Sequence, residues 1–366
     1  MTEVLNFYLM PEMTTKVLFS QRMLLGALIL LLGIGYGLHS DGDLMFDDEQ
    51  QIAYVSAFGG LSETFFVDCF GLFRPVKNVI FYAWITLLPD DYQLWRLTAI
   101  AAFLGLIPMA YAFMRLFYEE GSWMPLFATT IWAIAPANTT IVNWISGTNI
   151  LVCAYGFFIY YLLYERLQGA SSKDSPRHTV PYLLGSLLAL AFSCLSYEAA
   201  ITAPFLLILK DYVKDRQRLF QKQTRTFLGL SILIVGAYFY QRSTAGGMTN
   251  FALVPTIPAE SDLWVSLSSP WMVIVHAMRW LWPYGQQGML ILFNPEVHKG
   301  LVLSATAVLA VIIFVAVWFR DKHPYFFLGL GWYGIALLPM ANALSLGPPS
   351  VGIRIGLPRN PSLKGL

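Results

Sequence analysis

The sequence predicts an all-α polytopic membrane protein of about nine or ten helices, and three observations carry that prediction. Of its 366 residues, 57% are hydrophobic and only 12% charged, about half the ~25% charge of an ordinary soluble domain. Apolar runs near twenty residues long recur from end to end, the length that crosses a ~30 Å hydrocarbon core. Basic residues gather in alternate connecting segments, as they do where Lys and Arg stay on the cytoplasmic side. A net charge of +1 offers nothing to nucleic acid, so no such partner is expected. The cysteines, Cys69, Cys153 and Cys194, are too far apart for a metal knuckle and odd in number for a disulfide framework.

Helix one is expected from Val17 to Leu38, after Lys16 and with Arg22 in its first turns, which puts the N-terminus in the cytoplasm. No A-x-A-like site precedes it, so it reads as a retained anchor. Residues 39–93 then form the first external loop. Its early part holds seven acidic side chains (Asp41, Asp43, Asp47, Asp48, Glu49, Glu63, Asp68) and no Lys or Arg before Arg74. Helix two, Leu94 to Tyr118, returns inward, and helix three runs out to Pro136. An external linker, ANTTIVNWISGTN, leads to helix four, Ile150 to Tyr164. Helices five (Tyr182 to Tyr197) and six (Ala199 to Tyr212) nearly touch through SYEA. The most basic segment, KDYVKDRQRLFQKQTR, follows on the cytoplasmic side, and helix seven runs from Phe227 to Tyr240. A second polar external loop occupies 241–270. Trp271 to Asn294 contains Arg279, Pro283, Gly285 and paired glutamines, so a broken, re-entrant or interfacial segment is expected there. Two late spans, 301–319 and 325–344, flank RDKHP. Residues 1–345 read as one transmembrane domain and 346–366 as an irregular Gly/Pro-rich tail. No repeat of 20–50 residues is present.

Asp47 and Asp48 are the candidate chemical centre. Two close carboxylates push their proton affinities apart, and such a pair takes a proton from a hydroxyl or ligates a divalent cation. The bland alternative is a hydrated acidic loop. Arg74, in FRP at the start of the next apolar run, suits a phosphate at a membrane surface; the alternative is a snorkelling interfacial Arg. Glu198 is a carboxylate in apolar surroundings, either functional or a turn residue. Trp144 and Gly147 in WISGTN combine a stacking ring with a flexible backbone, as a sugar site does, or form an aromatic belt with a helix cap. The five histidines have no metal-ligand spacing, and no G-x-S-x-G, P-loop or H-E-x-x-H is present.

In order, the chain carries F-x-D-D, F-R-P, PANTTIVNWISGTN, LSYEAAITAP with LKDY, and GWYGIALLPMAN. That succession resembles the TMTC-like branch of the GT-C membrane glycosyltransferases, a group with bacterial relatives that carry tetratricopeptide repeats. The resemblance covers most of 40–345 and does not extend to a repeat domain. It implies a GT-C-like helix bundle that moves a sugar from a polyprenyl-phosphate carrier to a protein or glycan acceptor on the non-cytoplasmic side. By position it assigns Asp47 and Asp48 to the catalytic acidic pair, with a divalent cation as the candidate cofactor. Arg74, Glu198, Trp144 and Gly147 fall on substrate-binding positions, and Arg279 or Arg354 is a further candidate for the lipid phosphate. The setting implied is a bacterial inner membrane with the acidic loop in the periplasm. Tyr197 stands where the family has Lys, and Thr148-Asn149-Ile150 where it often has Arg-x-Asp. The competing readings are a non-catalytic GT-C-like subunit held by partners in a larger membrane complex, and a transporter.

Overall fold

A computed structural model describes residues 2–45, 47–66, 73–171, 176–244, 273–274, 277 and 299–337. Among these the elements are helical, with no strand. In chain order they are α1 (Thr2–Gly37), α2 (Asp48–Ser56), α3 (Glu63–Phe66), α4 (Pro75–Leu87), α5 (Tyr92–Met114), α6 (Met124–Ala133) and α7 (Pro136–Asn143). A 3-10 turn (Ile145–Gly147) leads to α8 (Thr148–Ser171) and α9 (Pro176–Ser196). A second 3-10 turn (Glu198–Thr202) precedes α10 (Ala203–Lys214), α11 (Arg216–Phe220) and α12 (Lys222–Thr244). The last are α13 (Lys299–Trp318) and α14 (Pro324–Leu337).

Among the described residues, five stretches are long and apolar enough to cross a membrane: Val17–Gly37, Tyr92–Met114, Ile145–Ala170, Thr179–Ser196 and Lys299–Trp318. Their surfaces say the same thing. On α1, Leu30 and Leu31 are 63% and 68% exposed, and α13 shows Ile313, Phe314 and Trp318 to its surroundings. Continuous apolar faces of this size are unfavourable in water and suit hydrocarbon. The chain is therefore compatible with an integral membrane protein.

The helices group into two units. Met1–Phe66 with Arg74–Tyr197 form the first, Val67–Phe73 with Glu198–Leu366 the second. In the first, α5 packs against α1, α6, α7 and α8. Phe103, Leu106 and Ile107 of α5 make the core there with Leu126, Val142 and Leu151. α8 and α9 approach at backbone distance. A Cβ on Gly156 would lie 2.7 Å from the Ala189 carbonyl oxygen, and Ser186 and Ser193 donate across the seam to the Tyr160 and Cys153 carbonyls. Small residues at such seams allow packing and hydroxyl bonds that lipid cannot supply. Gln21 fixes one end of the α1–α5 pair, donating to the Ser122 carbonyl at 2.9 Å and accepting from the Tyr111 hydroxyl. In the second unit α14 packs on α10 and its preceding 3-10 turn. The Tyr238 hydroxyl of α12 reaches the Phe73 carbonyl at 3.5 Å.

Several sequence expectations shift. α1 begins well before Val17, because hydropathy marks what lies in lipid and not where helical hydrogen bonding starts. The stretch expected as the first external loop is largely helical among its described residues. α2 starts with Asp48 and Glu49 on the positive end of its dipole, and Pro75 sits in the first turn of α4, where its missing N–H costs nothing. At 13 residues α4 is too short to cross. The external linker is α7 plus the 3-10 turn. Helix six shortens to α10, and α12, flanked by Lys222, Arg225 and Arg242, falls outside the five apolar spans. The stretches 245–272 and 278–298, the tail 346–366 and the end of the last span lie outside the described residues. Arg279 and Arg354 belong to them.

Candidate active site

The two aspartates sit at the start of α2, and both turn their side chains toward the segment between α7 and α8. Asp47 precedes the helix but does not cap it with its carboxylate. Its Oδ1 instead accepts the indole N–H of Trp144 at 3.0 Å, and its Oδ2 accepts from Gln51 Nε2 at 3.0 Å. Asp48 Oδ1 accepts the Ser146 backbone N–H at 2.8 Å, and Oδ2 accepts the Met45 N–H at 3.0 Å. The FxDD and WISG segments, about a hundred residues apart, are thus one structure.

The environments of the pair differ. Asp48 is 1% exposed, whereas Asp47 is half-buried. Burial pushes the Asp48 carboxyl above its ordinary value, and the neighbouring Asp47 charge adds to this. The hydrogen bonds from Met45 and Ser146 pull the other way and do not cancel it.

Local backbone demands explain the WISG part. The peptide after α7 turns extended at Trp144 and then coils into the 3-10 turn. Gly147 lies in that turn with its Cα against the Ile141 carbonyl and the Trp144 ring. A Cβ there would stand 2.9 Å from the carbonyl oxygen and 3.1 Å from the indole. Glycine is what lets the indole fold back toward Asp47.

Arg74 precedes α4, with its guanidinium 4.5 Å from the centre of the Tyr197 ring. The Tyr197 ring therefore receives this cation on its π face. One turn on, Lys77, 2% exposed, donates to Gln51 Oε1, and Gln51 donates to Asp47. Arg74's helix is linked to Asp47 through this chain of side chains. Glu198 belongs to the second unit, where it opens the 3-10 turn before α10 and is 1% exposed. The structure therefore brings Asp47, Asp48, Trp144 and Gly147 together within the first unit, with Arg74 tied to them through α4.

Three residues of the site went unnamed in the sequence: Gln51, Lys77 and Arg96. Arg96 lies in the first turns of α5 and is 1% exposed. Its guanidinium donates to the carbonyls of Ser40 and Gly42 at 2.6 Å, Asp43 at 2.8 Å and Asn143 at 3.3 Å. One cation thus ties the segment leading to Asp47 to the end of α7. An ionisable residue in the apolar run YQLWRLTAIAAF was the available signal, the same one that singled out Glu198.

For a divalent cation, no cluster of three His, Cys, Asp or Glu exists among the described residues. Both Asp48 oxygens are held by backbone donors and both Asp47 oxygens by side chains; Asp47 is the half-buried one of the two, and so the one with surface to offer a cation. A magnesium-like ion would complete its shell with water and substrate phosphate. No family model, no characterised protein and no solved structure matches this chain.

Proposed function

We propose that the chain is a membrane glycosyltransferase of GT-C-like architecture, moving a sugar from a polyprenyl-phosphate donor to a protein or glycan hydroxyl on the non-cytoplasmic side. The observation that carries this reading is the pairing of Asp47 with Trp144 and of Asp48 with Ser146, which joins two of the segments behind the family resemblance into one carboxylate-and-indole site.

The reading divides labour between the aspartates. Asp47, the accessible one, takes the proton from the acceptor hydroxyl as its oxygen attacks the anomeric carbon. The bond from that carbon to the phosphate oxygen breaks, its electron pair leaves with the polyprenyl phosphate, and the anomeric centre inverts. Asp48 positions Met45 and Ser146 and thereby the site's two walls. Trp144 offers its ring to an apolar sugar face while its N–H orients Asp47. Arg74, fixed on Tyr197, stabilises the negative charge that grows on the leaving phosphate; Arg279 or Arg354 is the further cation proposed for it. Glu198 is proposed as a substrate-binding residue. A cation held by Asp47 would supply charge neutralisation at the donor phosphate. The setting proposed is a bacterial inner membrane with this site facing the periplasm.

The test is transfer of labelled sugar from polyprenyl-phosphate hexoses by the full chain in nanodiscs. Wild type transfers, and Asp47→Asn loses at least about a hundred-fold. Equal transfer by both proteins removes Asp47 from the chemistry.

A second reading has one observation in its favour. Each of the four carboxylate oxygens already has a protein donor, as in a structural joint. A non-catalytic subunit of a larger membrane complex would show no transfer with any donor, and a partner that co-purifies in fixed ratio.

A further inference from the structure

The second unit carries a site of different character at its basic end. Between the C-terminus of α10 and the α13–α14 connection lies a cavity of about 450 Å³. Lys214, Arg216 and Arg320 line it against one carboxylate, Asp321. All four are exposed. Tyr212, Pro324 and Phe327 supply its apolar surface. Arg216 is held in place, its guanidinium 4.2 Å from the centre of the Tyr212 ring and donating to the Tyr212 hydroxyl at 3.0 Å. Asp321 does little to neutralise the set, since it sits 3.8 Å from Arg320 Nε and is 80% exposed.

A second cavity of about 270 Å³ shares Arg320 and Asp321 and is lined by Phe314, Val317 and Trp318. Those three occupy one face of α13, at spacings of three and four, inside the most apolar of the five spans. The cationic cavity therefore borders, at Arg320 and Asp321, a groove whose apolar wall runs along a helix long and apolar enough to cross a membrane. Trp318 and Tyr325 are exposed at the end of α13 and the start of α14, and Trp and Tyr are the side chains that collect at headgroup depth.

We infer that these joined cavities bind an anionic glycerophospholipid, its phosphate among Lys214, Arg216 and Arg320 and an acyl chain against Phe314, Val317 and Trp318. Charge complementarity selects an anion, and the groove selects one that carries a chain. The basic segment from Lys210 to Arg225 belongs by the positive-inside rule to the cytoplasmic leaflet, where anionic lipids are concentrated. The site is separate from the Asp47 centre in both ligand and chemistry, and does not depend on the transferase reading.

The experiment is native mass spectrometry of the full chain in mild detergent, titrated with phosphatidylglycerol or with phosphatidylcholine. Wild type retains phosphatidylglycerol about ten-fold better. Each neutralised cation costs about five-fold, so the Arg216→Gln, Arg320→Gln double variant brings the two lipids level. Arg216→Lys with Arg320→Lys keeps most of the preference. Lys222→Gln, in the same basic segment but lining neither cavity, leaves it unchanged. No preference in wild type, a preference surviving the double Gln variant, or an equal loss in Lys222→Gln overturns the proposal. Displacement of the lipid by inorganic phosphate at equal concentration also overturns it, since the site would then hold a free anion and ignore the chain.

Discussion

Trp144 donates its indole N–H to the Asp47 carboxylate at 3.0 Å, across 97 positions of sequence. That bond orients the more accessible carboxylate of the Asp47–Asp48 pair, and a hydrogen bond to a charged acceptor contributes about 1.5–3 kcal/mol. Trp144→Phe keeps the ring and removes the N–H. Sugar transfer should fall by about ten-fold or more while helical content by circular dichroism is unchanged. If Trp144→Phe transfers like wild type, the indole N–H has no part in orienting Asp47.

Gly147 sets the approach of that indole. In Gly147→Ala the new Cβ meets the Ile141 carbonyl at 2.9 Å, backbone that has little room to move. Overpacking of this kind costs about 1–3 kcal/mol, and transfer should drop alongside a lower thermal midpoint. Gly169→Ala, where nothing lies within 4 Å, should change neither.

Arg96 is the fastener of the acidic segment. Replacing it with Gln removes the donors to the Ser40, Gly42, Asp43 and Asn143 carbonyls; Ser40 is buried, whereas Gly42 and Asp43 are exposed residues that water can reach. The loss is expected to be about 1–3 kcal/mol, read as a lower thermal midpoint in detergent. Arg96→Lys should rescue little, because an ammonium cannot reproduce the planar fork. A wild-type midpoint in Arg96→Gln would show that these bonds contribute nothing net.

Asp48 makes stability depend on pH in a definite direction. Its folded carboxyl titrates above the ordinary 3.8, through burial first and the Asp47 charge second. The native state therefore holds the proton more tightly than the unfolded chain. Asp48's contribution is fully present below pH 3.8 and is lost as pH rises through the elevated folded value. Asp48→Asn removes the charge but its amide nitrogen cannot accept the second backbone N–H, so it should be less stable than wild type at acidic pH and lose less stability on going to neutral pH. Chemical unfolding of both proteins from pH 4 to 7 measures the difference; parallel curves would contradict it.

How much of this was legible in the sequence depends on range. Long apolar runs and the alternation of basic segments revealed an all-helical, membrane-compatible chain, because burial in hydrocarbon leaves its mark on every residue of a span. The helical character of the first external loop was hidden. α2 and α4 are short and mixed in polarity, so no periodic stripe announces them, and their helix-favouring signals, acidic residues at the start of α2 and Pro75 in α4, are local ones. Asp47, Asp48, Trp144 and Gly147 were visible as residue types but not as partners, since nothing in a sequence reports a bond across 97 positions. Arg96 stands alone in an apolar run, but its partners are backbone carbonyls, which no residue type in the sequence announces.

The most direct measurement is photo-crosslinking of the full chain in nanodiscs with a diazirine-bearing polyprenyl phosphate, followed by peptide mapping. Binding of the lipid phosphate beside Arg74 and Trp144 predicts labels concentrated on 73–82 and 143–149, reduced in Arg74→Gln, and displaced by unlabelled polyprenyl phosphate. Labels spread evenly over the exposed faces of α1 and α13, unchanged in Arg74→Gln, would contradict the transferase reading and leave the Asp47–Trp144 joint as structure alone.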